Sequence, residues 1–198
     1  MFDYINEKLE VKELEKGEEE EVVRIAVQAF MQDRYFLEQI PDPKVREKEL
    51  ALIYRQGIEL CRKNSGGVLA VYKDGKAAGF LMYFDYKRFR RQNLEDFKKV
   101  FGVSIRHNKV APSSFREIHQ GAMRLKEDPV YVLAIGVVKE YQHQGIGREL
   151  FDAFLDKFSG RPVMSDISGP FFLRLCQRFG FKVKPISTTC YLAVRGSK

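Results

Sequence analysis

The chain has 198 residues, with 34 Lys and Arg against 27 Asp and Glu, three Cys, three His and no Trp. A composition of 44% hydrophobic and 31% charged residues excludes a disordered or membrane-embedded chain, and the length suits one domain with its own core. Cys61, Cys176 and Cys190 lie too far apart in sequence for a disulfide scaffold or a zinc ribbon, so no metal site is expected. A reducing compartment, the cytoplasm, is the expected location. The segment Met1 to Glu7 lacks the basic and apolar regions of a signal peptide. No apolar run approaches the roughly 20 residues of a membrane-spanning helix. The net charge of +7 points to an anionic partner without naming one.

Leu9 and Val11 alternate with charged neighbours up to Leu14, which reads as a short first strand. Gly17 and the acidic run Glu18 to Glu21 follow. Val22, Ala26, Ala29 and Phe30 then mark one face of a helix whose acidic start suits the helix dipole. A cation site is the rival reading of that run. Asp42 can cap a second helix with Pro43 in its first position, and Leu50, Ile53, Tyr54, Gly57, Ile58 and Cys61 continue it to about Asn64-Ser65-Gly66-Gly67. A hairpin comes next: strand Val68 to Tyr72, turn Asp74-Gly75, strand Ala77 to Tyr86, with Gly79 marking a bulge.

The span Lys87 to Pro129 opens with the basic cluster Lys87-Arg88-Phe89-Arg90-Arg91. Leu94, Phe97 and Val100 sit at helical spacing, and so do Phe115, Ile118, Ala122 and Leu125. Two short helices are expected, joined by a loop through Ala111-Pro112-Ser113-Ser114. Val130 to Val138 is almost continuously apolar and reads as a central strand buried on both faces. Ile146, Leu150, Phe151, Phe154, Leu155 and Phe158 form a helix face that stops at Ser159-Gly160-Arg161-Pro162. Strand Val163 to Ile167, helix Pro170 to Phe179, extended chain at Phe181 to Val183 and a last strand Cys190 to Val194 complete a mixed α/β sheet.

The stretch Val137 to Arg148 carries the chemistry. A buried strand runs into a tight glycine turn that opens an amphipathic helix. Helix N-termini hold unpaired N–H groups and partial positive charge, and Gly145 and Gly147 present no side chain to an approaching anion. The result is a phosphate cradle built from amides. The P-loop pattern is absent, and the dinucleotide fingerprint lacks its third glycine because Leu150 stands there. Gln142, Gly145 and Gly147 do fit the pattern Q-x-x-G-x-G. With that pattern the chain resembles the GNAT superfamily of N-acetyltransferases, whose hallmark places a Gln or Arg, then Gly, then Gly or Ala after the fourth strand. Arg178-Phe179-Gly180-Phe181 is similar to that family's late Gly-Phe signature. The resemblance is specific over Val130 to Phe181, topological over Leu9 to Tyr86, and absent over Lys87 to Pro129.

This resemblance implies a GNAT-like, mostly antiparallel sheet of six to seven strands flanked by helices, in a single domain over residues 1–198 with a helical insertion at about 87–129. It implies acetyl-CoA as acyl donor, with Gln142, His143, Gln144, Gly145, Ile146, Gly147 and Arg148 around the pyrophosphate. Ile135, Gly136 and Val137 would offer main-chain groups to the pantetheine arm, where the fourth strand splays from the fifth. Gly136 is either a bulge there or a point of close packing. Where many relatives keep a Tyr as proton donor, this chain has Cys176. A thiol of ordinary pKa about 8.5 can donate a proton, and a Cys also packs readily in a core. Tyr191, Tyr131 or water are the other donors. For the base, Asp166 near the end of the fifth strand stands beside His119, Glu117 and Asp128.

The basic cluster Lys87 to Arg91 reads as a holder of the cofactor's ribose phosphate, of an acidic substrate or of nucleic acid, or as a solvated strand end. One Phe is too little for a base-stacking platform. The expected activity is transfer of an acetyl group from acetyl-CoA to a primary amine by direct attack, with a small-molecule acceptor. A protein acceptor and a non-catalytic acyl-CoA-binding module are the alternatives. A homodimer is compatible with the sequence, while membrane and nucleic-acid partners are not expected.

Overall fold

The computed structural model describes residues 9–92, 112–167, 169–186 and 190–196. Seven strands form one sheet: β1 (Glu10–Glu13), β2 (Gly67–Lys73), β3 (Lys76–Asp85), β4 (Val130–Val137), β5 (Val163–Ile167), β6 (Lys182–Pro185) and β7 (Tyr191–Arg195). Their order is β1-β2-β3-β4-β5-β7-β6, and only the β4–β5 pair is parallel. The expected mixed, mostly antiparallel sheet is therefore present. The β2–β3 hairpin turns on Asp74 at φ 52° and Gly75 at φ 73°, the two left-handed residues that a type I′ turn requires.

Helices cover both faces. α1 (Glu19–Phe30), α2 (Arg34–Gln39), α3 (Pro43–Lys63), α4 (Tyr86–Gln92) and α5 (Pro112–Met123) precede β4; α6 (Ile146–Lys157) and α7 (Pro170–Arg178) follow it. One apolar cluster joins α1, α3, α4 and α5 to one sheet face through residues such as Leu50, Tyr54, Phe80, Phe84 and Tyr131. The other joins α6 and α7 to the opposite face through Val132, Ile135, Leu150, Phe151 and Phe154. No helix among the described residues is long and apolar enough to cross a membrane.

The acidic start of α1 braces α3. Glu20 accepts from Nε and Nη2 of Arg55, each at 2.7 Å, and Glu19 pairs with Arg62. Asp42 caps α3 as expected, accepting from Lys44 N at 2.8 Å and Val45 N at 3.0 Å. α2 is absent from the sequence reading because six residues span less than two turns of apolar periodicity. Its placement depends on Arg46, only 4% exposed, which donates to the carbonyls of Met31, Ile40 and Pro41.

Two expected boundaries shift. β3 ends at Asp85, and Tyr86 with the basic cluster lies on α4 rather than on a strand end. Asp85 Oδ1 accepts from Lys87 N at 3.0 Å and Arg88 N at 3.4 Å, as an N-cap does. α5 begins at Pro112, inside the expected loop, because proline suits the first helical position. The expected helix through Leu94, Phe97 and Val100 lies outside the described residues.

The bulges decide where the sheet opens. In β3 the slip falls at Ala78, since Val71 pairs with Gly79 and Tyr72 with Ala77. Gly136 is a point of close packing, not a bulge. A Cβ there would stand 2.7 Å from Phe80 Cε1 and 3.1 Å from Phe30 Cε2. The β4 bulge lies at Leu133 instead, between the pairs Tyr83–Val132 and Met82–Ala134. On its other side β4 pairs with β5 only at Val130, Tyr131 and Val132. Ser165, 1% exposed, donates its hydroxyl to Val132 O at 2.9 Å, so a side chain occupies the last carbonyl before the strands part.

Gly136→Ala forces a methyl into a packed aromatic corner and is expected to cost about 1–3 kcal/mol. Denaturant unfolding measures this, and an unchanged midpoint contradicts the packing assignment.

Candidate active site at the parting strands

Downstream of β4 the chain makes a single 3₁₀ turn at Lys139–Tyr141 and then runs through Gln142, His143 and Gln144 into Gly145. His143 has φ 63° and Gly145 φ 84°. The left-handed positions of the turn are thus His143 and Gly145, while Gly147 lies inside α6. No side chain caps α6, and Arg148 N and Glu149 N already donate to Gly145 O at 2.9 and 3.1 Å, which leaves the N–H groups of Ile146 and Gly147 for a ligand. Loop side chains brace the main chain: Gln142 Nε2 donates to Val137 O at 3.0 Å and Gln144 Nε2 to Glu140 O at 2.8 Å. Lys73 of the β2–β3 hairpin donates to Gln144 Oε1 at 2.8 Å. Ile146 is buried as a core peg, so its contribution to a ligand is its N–H. Arg148 is exposed beside the loop, with Asp152 3.4 Å away. The glycine that stays open for an anion is Gly145, where a Cβ would meet nothing within 4 Å, and not Gly147, which is buried with Phe171 and Val137 against its Cβ direction. An uncapped helix of 12 residues, positive at its N-terminus and open at Gly145, fits a pyrophosphate.

The main chain of β4 beyond Val132 leads from this cradle toward Asp166, the first β5 residue past the last parallel rung. Tyr131, 1% exposed, donates its hydroxyl to Asp166 Oδ1. Burial raises the Asp166 pKa above the usual carboxylate value, with the Tyr131 hydrogen bond opposing it. Burial and the Asp166 charge push the Cys190 thiol up to about 12. On the same face, the Tyr86 hydroxyl lies 3.4 Å from His119 Nδ1, and the Tyr86 ring is 5.8 Å from that of Tyr131. The fold therefore brings Asp166 of β5 and Tyr131 of β4 to the face that carries Tyr86 of α4 and His119 of α5. The sequence reading passed over Tyr86; Asp85 as a cap before an aromatic residue was the available signal.

The remaining candidates stand elsewhere. Asp128 pairs with Lys87 at 3.0 Å and Glu117 with Lys184 at 3.4 Å. Tyr191 packs against the cluster beneath α6 and α7. Cys176 is fully buried in that same cluster, across the sheet from Tyr131 and Met164, and burial pushes its thiol up to about 12. Among the described residues no group of His, Cys, Asp and Glu can hold a metal ion.

A carboxyl with a raised folded pKa takes up a proton on folding. Its ionised form therefore costs stability at neutral pH, and the cost fades as pH falls through the folded pKa. Asp166→Asn keeps the shape and an acceptor for Tyr131. Its melting temperature at pH 7 is expected to equal or exceed that of the wild type, with any gain shrinking in acid. A variant less stable at neutral pH contradicts this account of Asp166.

The sequence profile of the Acetyltransferase (GNAT) family matches residues 26–165. No curated protein sequence matches the chain. Among solved structures it is similar to a histone acetyltransferase HPA2-related acetyltransferase of Corynebacterium glutamicum, with TM-score 0.65, 17% identity and 94% of each chain covered. It is also similar to the PaiA N-acetyltransferase of Thermoplasma acidophilum in complex with coenzyme A, with TM-score 0.59 and 12% identity over 96% of this chain and 99% of that one. The polyamine N-acetyltransferase of Drosophila melanogaster, which forms N-acetylagmatine, gives TM-score 0.60 and 11% identity over 96% and 100%. These identities speak for the fold, and the family match covers more than half of the chain: the protein belongs to the GNAT family of N-acetyltransferases, enzymes that use acetyl-CoA.

Proposed function

We propose that the protein transfers the acetyl group of acetyl-CoA to the primary amine of a small molecule by direct attack in a ternary complex. The observation that carries this reading is the parting of β4 from β5 after Val132, immediately beside the Tyr131–Asp166 pair. Gln142 to Arg148 hold the pyrophosphate, chiefly through the amides of Gly145, Ile146 and Gly147. The main chain of Ile135, Gly136 and Val137 receives the pantetheine arm as an added strand. An N–H of the bulged stretch at Leu133 stabilises the negative charge that develops on the thioester carbonyl oxygen.

Asp166 accepts the proton of the acceptor ammonium. Its raised pKa makes it a stronger base than an exposed carboxylate, and Tyr131 fixes its orientation. Tyr86 and His119 stand next to this pair as onward proton carriers. Cys176 is assigned to packing, because it is buried across the sheet from Asp166. A small acceptor is favoured because α4 and α5 cover the face that carries Asp166; a structural neighbour also forms N-acetylagmatine. The second reading, an acyl-CoA-binding module without turnover, rests on Cys176, which stands where the family resemblance implies a Tyr in many relatives.

Release of free thiol from acetyl-CoA with a panel of small amines and peptides tests the reading. Thiol release with a small amine supports it, release only with peptides moves the acceptor to protein, and CoA binding without release supports the module. Gly145→Val places a branched side chain in the open space of the cradle and strains a left-handed residue, and is expected to weaken CoA binding about tenfold or more, whereas unchanged affinity displaces the cradle. Asp166→Asn is expected to lower kcat about 10²-fold or more and to remove an acidic limb of kcat/KM that lies above the ordinary carboxylate range. Cys176→Ala is expected to retain turnover.

A further inference from the structure

Phe171 stands half out of water in the first turn of α7, 50% exposed, although its neighbour Phe172 packs edge-on against Phe151 with ring centroids 5.7 Å apart. One exposed Phe is ordinary on a protein surface. What sets Phe171 apart is its place. From the point where a Cβ of Gly147 would lie, Phe171 Cζ is 3.3 Å away, Phe171 Cε1 3.6 Å and Val137 Cγ2 3.7 Å. The ring therefore borders the corner between the last residue of β4 and the first turn of α6. That corner is where the proposed pyrophosphate cradle hands over to the main-chain edge proposed for the arm.

The chemistry of the cofactor changes at the same place. Next to the pyrophosphate, the pantetheine arm begins with a branched dimethyl segment, its most apolar part. A cradle made of amides offers that segment nothing. An aromatic ring at the rim does, since each buried methyl or methylene gains about 0.8 kcal/mol in leaving water.

We propose that Phe171 is a cofactor-binding residue that packs against the dimethyl segment of the pantetheine arm and so distinguishes intact CoA from its nucleotide half. This rests on the cofactor placement proposed above. The half of the Phe171 ring that faces solvent is the surface offered to the arm.

Calorimetry with two probes tests the proposal: CoA, and its nucleotide half, ADP carrying the ribose phosphate without the arm. Phe171→Ala is expected to weaken CoA binding about five- to tenfold, the effect of exposing roughly half of a Phe side chain, and to leave the nucleotide half unaffected. Phe171→Leu is expected to restore most of the loss. Because Phe171 lies on the surface, an unchanged melting temperature shows that both variants fold. Unchanged CoA affinity, or an equal loss for both probes, overturns the proposal while leaving the cofactor reading intact. Wild-type protein that takes up neither probe overturns the cofactor reading and this assignment with it.

Discussion

The parting of β4 and β5 is the constraint on which the rest of the site depends. A parallel pair continued to the ends of both strands would satisfy the β4 main chain and leave no edge for a ligand. The bulge at Leu133 twists β4 away from its register with β3, and the Ser165 hydroxyl takes the Val132 carbonyl. The last carbonyl before the opening is thereby satisfied without prolonging the ladder. A buried carbonyl left without a partner would cost about 1–3 kcal/mol, and the same hydroxyl also lies 3.0 Å from Asp166 O, so one side chain serves the carbonyls on both sides of the opening. The same geometry sets Asp166 one residue beyond the final rung, where the Tyr131 hydroxyl reaches it.

The two faces of the sheet divide the work. The face beneath α6 and α7 is dominated by aromatic packing around Phe151, which lies within 6.0 Å of Phe154, Phe172, Phe179 and Phe181 by ring centroids. That packing ties α6 to α7, and Ile146 and Leu150 of the first turns of α6 share the same cluster with Val137 at the end of β4. The opposite face holds the titratable groups, Asp166, Tyr131, Tyr86 and His119, and the helices α4 and α5 that lie between β3 and β4. Cys176 belongs to the first face, which is why its place in the sequence motif is a poor guide to its role. The net charge of +7 is likewise a weaker guide than the uncapped start of α6. An amide cradle acts over short range through oriented dipoles, while exposed cations such as Arg148 are screened by salt.

Much of this was legible in the sequence. The Asp74-Gly75 turn, the Asp42 cap, the apolar run of β4 and the Gln142-Gly145-Gly147 spacing each carry a local signal strong enough to survive tertiary context. The missed features are tertiary. Nothing local distinguishes Leu133 from its apolar neighbours as the bulge, because the slip is set by pairing with Met82 and Tyr83 on β3. At Gly136 the sequence leaves bulge and close packing open, and Phe80 and Phe30 decide for close packing. Tyr86 joined the preceding strand in the sequence reading because strand and helix meet there without a break, and Asp85 alone marks the change. The meeting of Tyr131 with Asp166, 35 residues apart in sequence, follows from the parallel register of β4 and β5, which no single-sequence pattern discloses.

The most direct test of the central claim follows backbone amide NMR signals as CoA is added to the protein. The account predicts that the largest shifts fall on Leu133 to Val137 along the opened edge of β4 and on Gly145 to Gly147 at the start of α6, with β2 and β6 little affected. Saturable CoA binding that leaves both stretches undisturbed would contradict it.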